Sequence, residues 1–148
     1  LRRPRAAGLL GAALAVCAML GGCAEPGVVC NAPAGHAMLV AELFFGRNVT
    51  PGDQRELGTT VTDAQWAAFA RDVLTPAFPD GLTALDAKGQ WRDPATGVIS
   101  REPTTLVIVA APDTDQTRRA LDAVMAQYRV QFHQQSVGLV LRRECANF

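Results

Sequence analysis

The stretch WRDPATGVISREPTTLVIVA (residues 91–110) decides the fold. Its first half contains DPATG (93–97), where Pro94 presets a turn and Gly97 is free to take a positive φ. A chain that turns there doubles back on itself, so the extended run 82–92 and the run 98–110 form an antiparallel hairpin. The second half contains LVIV (106–109), apolar at every position, which is the pattern of a strand buried on both faces and therefore central. Pro103 predicts a break or bulge within the return strand, and Gly89 predicts a bulge in the outgoing one.

Working outward, FPDGL (78–82) is a turn that separates the hairpin from a helix. That helix starts at Thr62, with Gln65 completing a capping box and Val61 and Trp66 in hydrophobic-staple positions. Trp66, Phe69, Ala70, Val73 and Leu74 recur at helical spacing. Pro76 restricts Thr75 and predicts the helix end. Before it, MLVAELFF (38–45) reads as a strand and 46–60 as a polar loop. After the hairpin, 112–115 turns into a second helix capped by Asp113 or Thr114. Leu121, Val124, Met125, Tyr128 and Phe132 share one face of it, so the Met and Tyr belong to the core. The run 137–143 is the last strand. The order strand, helix, strand, strand, helix, strand predicts an α+β, ferredoxin-like βαββαβ two-layer sandwich. Right-handed crossovers make its four-stranded sheet antiparallel in the order 4-1-3-2. A mixed sheet with one packed helix is the alternative, suggested by Pro103.

The N-terminal part carries a different signal. Arg2, Arg3 and Arg5 precede an apolar run, 6–20, of signal-peptide length, and LGGC (20–23) looks like a bacterial lipobox. On this reading 1–22 is a cleaved signal peptide, Cys23 is lipidated, 23–35 is a tether and 36–148 is a single domain. The acyl chains, palmitate among them, anchor the protein in a membrane, since two or more chains hold firmly where one does not. With no aspartate after Cys23, the expected site is the outer membrane, facing the periplasm. An uncleaved span and an unlipidated secretory signal are the alternatives. Export leaves Cys30 and Cys145 as a pair in an oxidising compartment, where a disulfide is the simplest state and two buried thiols the alternative. The topology brings the start of the first strand beside the end of the fourth, which places the two cysteines together independently.

Composition sets bounds on function. The 148 residues are 49% hydrophobic and 19% charged, as in a globular domain. Without the three leading arginines, 11 basic and 14 acidic residues remain, a balance that argues against nucleic acid as a partner. The sequence has no phosphate loop, no dinucleotide fingerprint and no Gly-x-Ser-x-Gly elbow, and it points to no cofactor. His36 and His133 fall at opposite ends of the expected fold, so no metal site is expected.

The topology gathers Arg47, Trp91, Arg92, Arg101, Glu102, His133, Gln134, Gln135 and Ser136 at one edge of the sheet. Forked guanidinium groups suit carboxylate or phosphate ligands, so this rim is a candidate site for a small anion. The plainer reading has Arg101 and Glu102 pairing with Arg92 across the hairpin and His133 meeting the last carbonyls of its helix. Glu42 is expected to pair with a nearby arginine. Met38, Val40 and Phe44 leave the sheet face away from the helices apolar, so a second copy of the chain is expected to cover it, with the 46–60 loop as the rival cover.

The segments ELFFGRN, FPDGLTALDAKGQWRDPATG, REPTTLVIV, QQSVGLVL and the terminal CANF resemble a family of uncharacterised bacterial lipoproteins, domain of unknown function 3574. The resemblance covers nearly all of 30–148 and implies no reaction, cofactor or catalytic residue. The sequence therefore points to an envelope lipoprotein acting as a non-catalytic binding or structural module. The alternative is a small enzyme or sensor that uses the Arg47/Arg92/Arg101 rim.

Overall fold

The computed structural model describes residues 30, 35–49 and 59–147. The expected signal peptide, the lipidated Cys23 and most of the tether lie outside the described residues, as does most of the 46–60 loop. Four strands form one sheet: β1 (His36–Gly46), β2 (Thr83–Arg92), β3 (Ile99–Ala111) and β4 (Gly138–Ala146). Their spatial order is β2-β3-β1-β4 and every pairing is antiparallel, which is the expected 4-1-3-2 arrangement. Helix α1 (Asp63–Phe69) follows β1, and helix α2 (Asp115–Gln131) joins β3 to β4.

Three local expectations are corrected. β3 runs through Pro103 without a break, and the β2–β3 register passes Lys88↔Pro103 and Gly89↔Glu102 without a bulge. The Pro103 carbonyl accepts from the Arg47 N–H (2.9 Å). A strand residue points its nitrogen and its carbonyl to the same side, here past the end of β1, whose pairing stops at Gly46↔Thr104, so the missing N–H breaks no bond to β2. Gly89 is there for space: a Cβ on it would lie 2.4 Å from Thr104 Oγ1. The first helix also passes Pro76. It continues from α1 through a π-helical turn (Ala70–Leu74) into a last turn (Thr75–Ala77), and the Thr75 N–H donates to the carbonyl of Ala70. The wider turn seats the proline ring, which would otherwise clash with the preceding turn.

The caps form as the sequence implies. Thr62 Oγ1 accepts from the Gln65 N–H (3.2 Å), while Gln65 Oε1 accepts from the Thr62 N–H (2.7 Å). Thr114 caps α2 by accepting from the Thr117 N–H (3.1 Å). At the far end of α2, His133 takes φ 51° and the Gln134 N–H donates to the Arg129 carbonyl (3.0 Å), a left-handed helix stop that usually calls for glycine.

The core lies between the helices and one sheet face. Leu39, Ala41, Leu43 and Phe45 of β1 are buried, together with Val107 and Val109 of β3 and Leu121, Val124, Tyr128 and Phe132 from the second helix and its end. Phe45, Phe69, Tyr128 and Phe132 stack edge to face and tilted, with the Phe45–Tyr128 and Tyr128–Phe132 centroids 4.8 Å apart. Tyr128 Oη donates to the Gly46 carbonyl (2.9 Å), satisfying the polar atom at the centre of this cluster. Asp113 clamps Arg118 Nε (2.8 Å) and Arg143 Nε (2.7 Å), tying the start of α2 to β4. Those bonds, the Arg143 one most, hold its carboxyl below the usual range. Glu42 pairs with Arg142 (2.6 Å) as expected.

Cys30 and Cys145 form a disulfide with their Cα atoms 5.5 Å apart, and Cys145 stands opposite Ala37 of β1. The bridge spans a sequence separation of 115, for which the chain-entropy model allows roughly 4–5 kcal/mol.

Candidate functional site: a cavity on the open face of the sheet

Side chains alternate across a strand, so the residues opposite one another on the helix-free face follow from the register. Leu85, Leu106, Phe44 and Gly138 form one row across all four strands, and Ala87, Thr104 and Gly46 form the next. Beyond β1 the β2–β3 hairpin continues alone, carrying Gly89 opposite Glu102 and Trp91 opposite Ser100 on that same face. The hairpin thus overhangs the sheet by one two-stranded arm, an arrangement that is marginal unless something braces it.

The brace is polar. Asp93 Oδ1, in the hairpin turn, accepts from the N–H groups of Ala95 (2.7 Å) and Thr96 (3.0 Å), and Gly97 closes the turn at φ 72°. Asp93 Oδ2 accepts from Gln135 Nε2 (3.3 Å), joining the turn to the segment that precedes β4. The backbone bonds from Thr96 and Ala95, and then Gln135, lower the Asp93 pKa, so it stays ionised at neutral pH. Gln134 Nε2 donates to the Asn48 carbonyl (2.8 Å), fixing the same segment to the end of β1.

Between arm, sheet and this segment lies a cavity of about 550 Å³, within the range of small-molecule sites. Gly46, Gly89 and Gly138 form its floor, and neighbouring side chains lean over them, Glu102 over Gly46, Thr104 over Gly89 and Phe44 over Gly138, while Phe44, Trp91 and Val98 supply apolar wall. Glu102 lies across Gly46, where a Cβ would come within 2.6 Å of its Oε1. Its Oε2 accepts from the Asn48 N–H (3.0 Å), and no cation pairs with it among the described residues. Burial pushes the Glu102 pKa up, and the Asn48 bond offsets part of the rise.

The residues singled out in the sequence divide into two groups. Trp91, Glu102, Gln134, Gln135 and Ser136 line the cavity. Arg47, Arg92, Arg101 and His133 are not among its described lining residues. Arg47 is 9% exposed and turns to the helix side, where Nε donates to the Val61 carbonyl (2.9 Å) and Nη2 meets Asp63 (2.6 Å). Arg92 Nε donates to the Gly97 carbonyl (3.3 Å) inside its own hairpin. The side chain of Arg101 is exposed, and its carbonyl accepts from Asn48 Nδ2 (3.1 Å). Sequence reasoning missed Phe44, Asp93, Gln90 and the glycine floor. Gly46 at the end of an apolar strand and Gly89 inside another were the available signals, because an isolated strand glycine marks a close approach as often as a bulge.

Among the described residues no group of three or more His, Cys, Asp or Glu is placed to hold a metal ion, and no helix is long and apolar enough to cross a membrane.

Solved structures with a similar chain trace include a phage SAM lyase in complex with S-methyl-5′-thioadenosine (TM-score 0.57, 16% identity, covering 80% of this chain and 97% of that one). The same phage enzyme in its apo state gives a TM-score of 0.54 at 17% identity, over 81% of this chain and 91% of that one. CutA from Synechococcus elongatus gives 0.45 at 10% identity, over 74% and 78%. At these identities the phage enzyme shares the fold and nothing further is carried across. No curated protein matches the sequence. Residues 40–148 match the family described as a protein of unknown function, DUF3574, and the chain belongs to that family.

Proposed function

We propose that this protein is a small-molecule binding module of the bacterial cell envelope, held to the membrane by lipid on Cys23 and using the open-face cavity as its site. The observation that carries the binding reading is the cavity itself, a concave space of about 550 Å³ lined by an indole, Trp91, and by a carboxylate, Glu102, with which no cation pairs among the described residues. The braced overhang adds to this reading, because its polar bonds hold a concave wall in place without closing it. An anion at an arginine rim fits less well, since Arg47 is committed to Asp63 and the described lining contains no arginine.

Two features support the envelope part of the reading. The lipobox LGGC (20–23) follows an arginine-led apolar run, and the Cys30–Cys145 bridge suits an oxidising compartment. The phage lyase provides a protein of this fold that holds a small molecule, which makes an enzyme or sensor the second reading.

The test is expression of the full chain in a bacterial host, with palmitate labelling and native mass spectrometry of the purified protein. The proposal expects label that Cys23→Ser abolishes, and a bound small molecule that Trp91→Ala releases. A membrane-free, unlabelled protein sinks the anchor. A bound molecule retained in full by Trp91→Ala sinks the site.

A further inference from the structure

The charge and hydrogen-bond inventory of the cavity specifies the kind of molecule it takes. Its described ionisable lining residues are Asp93 and Glu102, both acids. Gln134 Nε2 spends both its hydrogens, on the carbonyls of Asn48 (2.8 Å) and Phe132 (3.1 Å), and Gln135 Nε2 donates one to Asp93. Among the described residues the acceptor oxygens of Gln134 and Gln135 take no hydrogen bond, and Glu102 Oε1 takes none either. Two carboxylates and the open oxygens of Glu102, Gln134 and Gln135 in one cavity are complementary to a ligand that is cationic and carries N–H. A half-buried carboxylate with one hydrogen bond and no counter-charge among the described residues is undercompensated, and an incoming cation relieves that. The aromatic wall adds a face that attracts cations, an indole most strongly.

Resting on the binding-module reading, we infer that the cavity selects a small organic cation bearing N–H donors, a protonated amine or a guanidinium, with Glu102 as its counter-ion and Trp91 as its aromatic contact. Anions are rejected by two carboxylates, and quaternary cations leave the open acceptors unmatched. The Gly46 floor is part of the device, since it leaves the space over β1 into which the carboxylate leans.

The experiment compares three four-carbon probes of matched length on the full chain: putrescine, 1,4-butanediol and succinate, together with S-methyl-5′-thioadenosine as a neutral nucleoside. Binding is read by calorimetry and by the indole resonance of Trp91. The expected result is that putrescine binds at least tenfold more tightly than the diol, that succinate does not bind, and that raised salt weakens the putrescine complex. Glu102→Gln, which keeps the shape and the Asn48 bond, lowers putrescine affinity about tenfold or more while the fold, checked by circular dichroism, is unchanged. Gly46→Ala gives an independent check, because the added methyl displaces the carboxylate and lowers affinity in the same direction. If the diol, succinate or the nucleoside binds as well as putrescine, the cation inference falls while the binding site stands. If none of the four moves the Trp91 resonance, both fall.

Discussion

The two faces of one sheet are built by the same strands and treated in opposite ways. On the helix side β1 presents Leu39, Ala41, Leu43 and Phe45, all buried under two helices, and the polar atom at the centre, Tyr128 Oη, has its acceptor. On the other side the same strand presents Met38, Val40, Glu42 and Phe44, partly or fully exposed, and then Gly46 at the end. Gly46 belongs to both faces, since its carbonyl accepts from Tyr128 while its Cα lies under Glu102. The comparison teaches where free energy has gone. One face is packed for stability. The other keeps space, a charge and unspent acceptors, none of which stabilises a free monomer.

The contrast can be broken from the packed side first. Phe69→Ala removes a ring that touches Phe45, Tyr128 and Phe132 and leaves a cavity, at a cost of about 3–5 kcal/mol in chemical denaturation. Trp91→Ala, on the open face, costs no more than about 1 kcal/mol in the same assay, because the indole is partly exposed and stands on the sheet face away from the helices. Equal losses from the two substitutions would abolish the distinction. Tyr128→Phe keeps the packing and strands the Gly46 carbonyl, so a loss of about 1–2 kcal/mol is expected.

Smaller effects sharpen the comparison. His133→Gly relieves a left-handed residue at the end of α2 and gains about 0.5–1 kcal/mol, measured by thermal melting. The smallest effect is a pH dependence. Burial raises the Glu102 pKa in the folded protein, so its contribution is most favourable below the unfolded carboxylate pKa and declines as pH rises from that value through the folded one. Glu102→Gln removes this decline and makes the protein slightly more stable at pH 7 relative to pH 4 than the parent. A steeper decline in the variant would mean that Glu102 is compensated in the free protein.

Much of the fold was legible because it rests on signals that are local and redundant. The DPATG turn, the Thr62/Gln65 cap and the apolar run 106–109 each point to one element, and the crossover rule then fixes their order in space. The disulfide followed from that order. The three misread residues share a cause. Pro103, Gly89 and Pro76 were read by what they forbid locally, whereas the neighbours decide whether the prohibition applies: the end of β1 beside Pro103, Thr104 over Gly89, a π-turn before Pro76. The candidate site was half legible for a related reason. Topology brought the right segments to one edge, but at that edge a shift of one residue sends a side chain to the opposite face. Glu102 lies across Gly46 on the open face, while Arg47, next to that glycine, points among the helices.

The sequence contains two tryptophans, Trp66 against the helix-side core and Trp91 in the cavity, so each face carries its own reporter. The most direct test of the central claim is a titration of the full chain with putrescine, following both indole N–H resonances. The account predicts that the Trp91 resonance moves with saturation while the Trp66 resonance stays in place. Movement of Trp66 with Trp91 unmoved would contradict it.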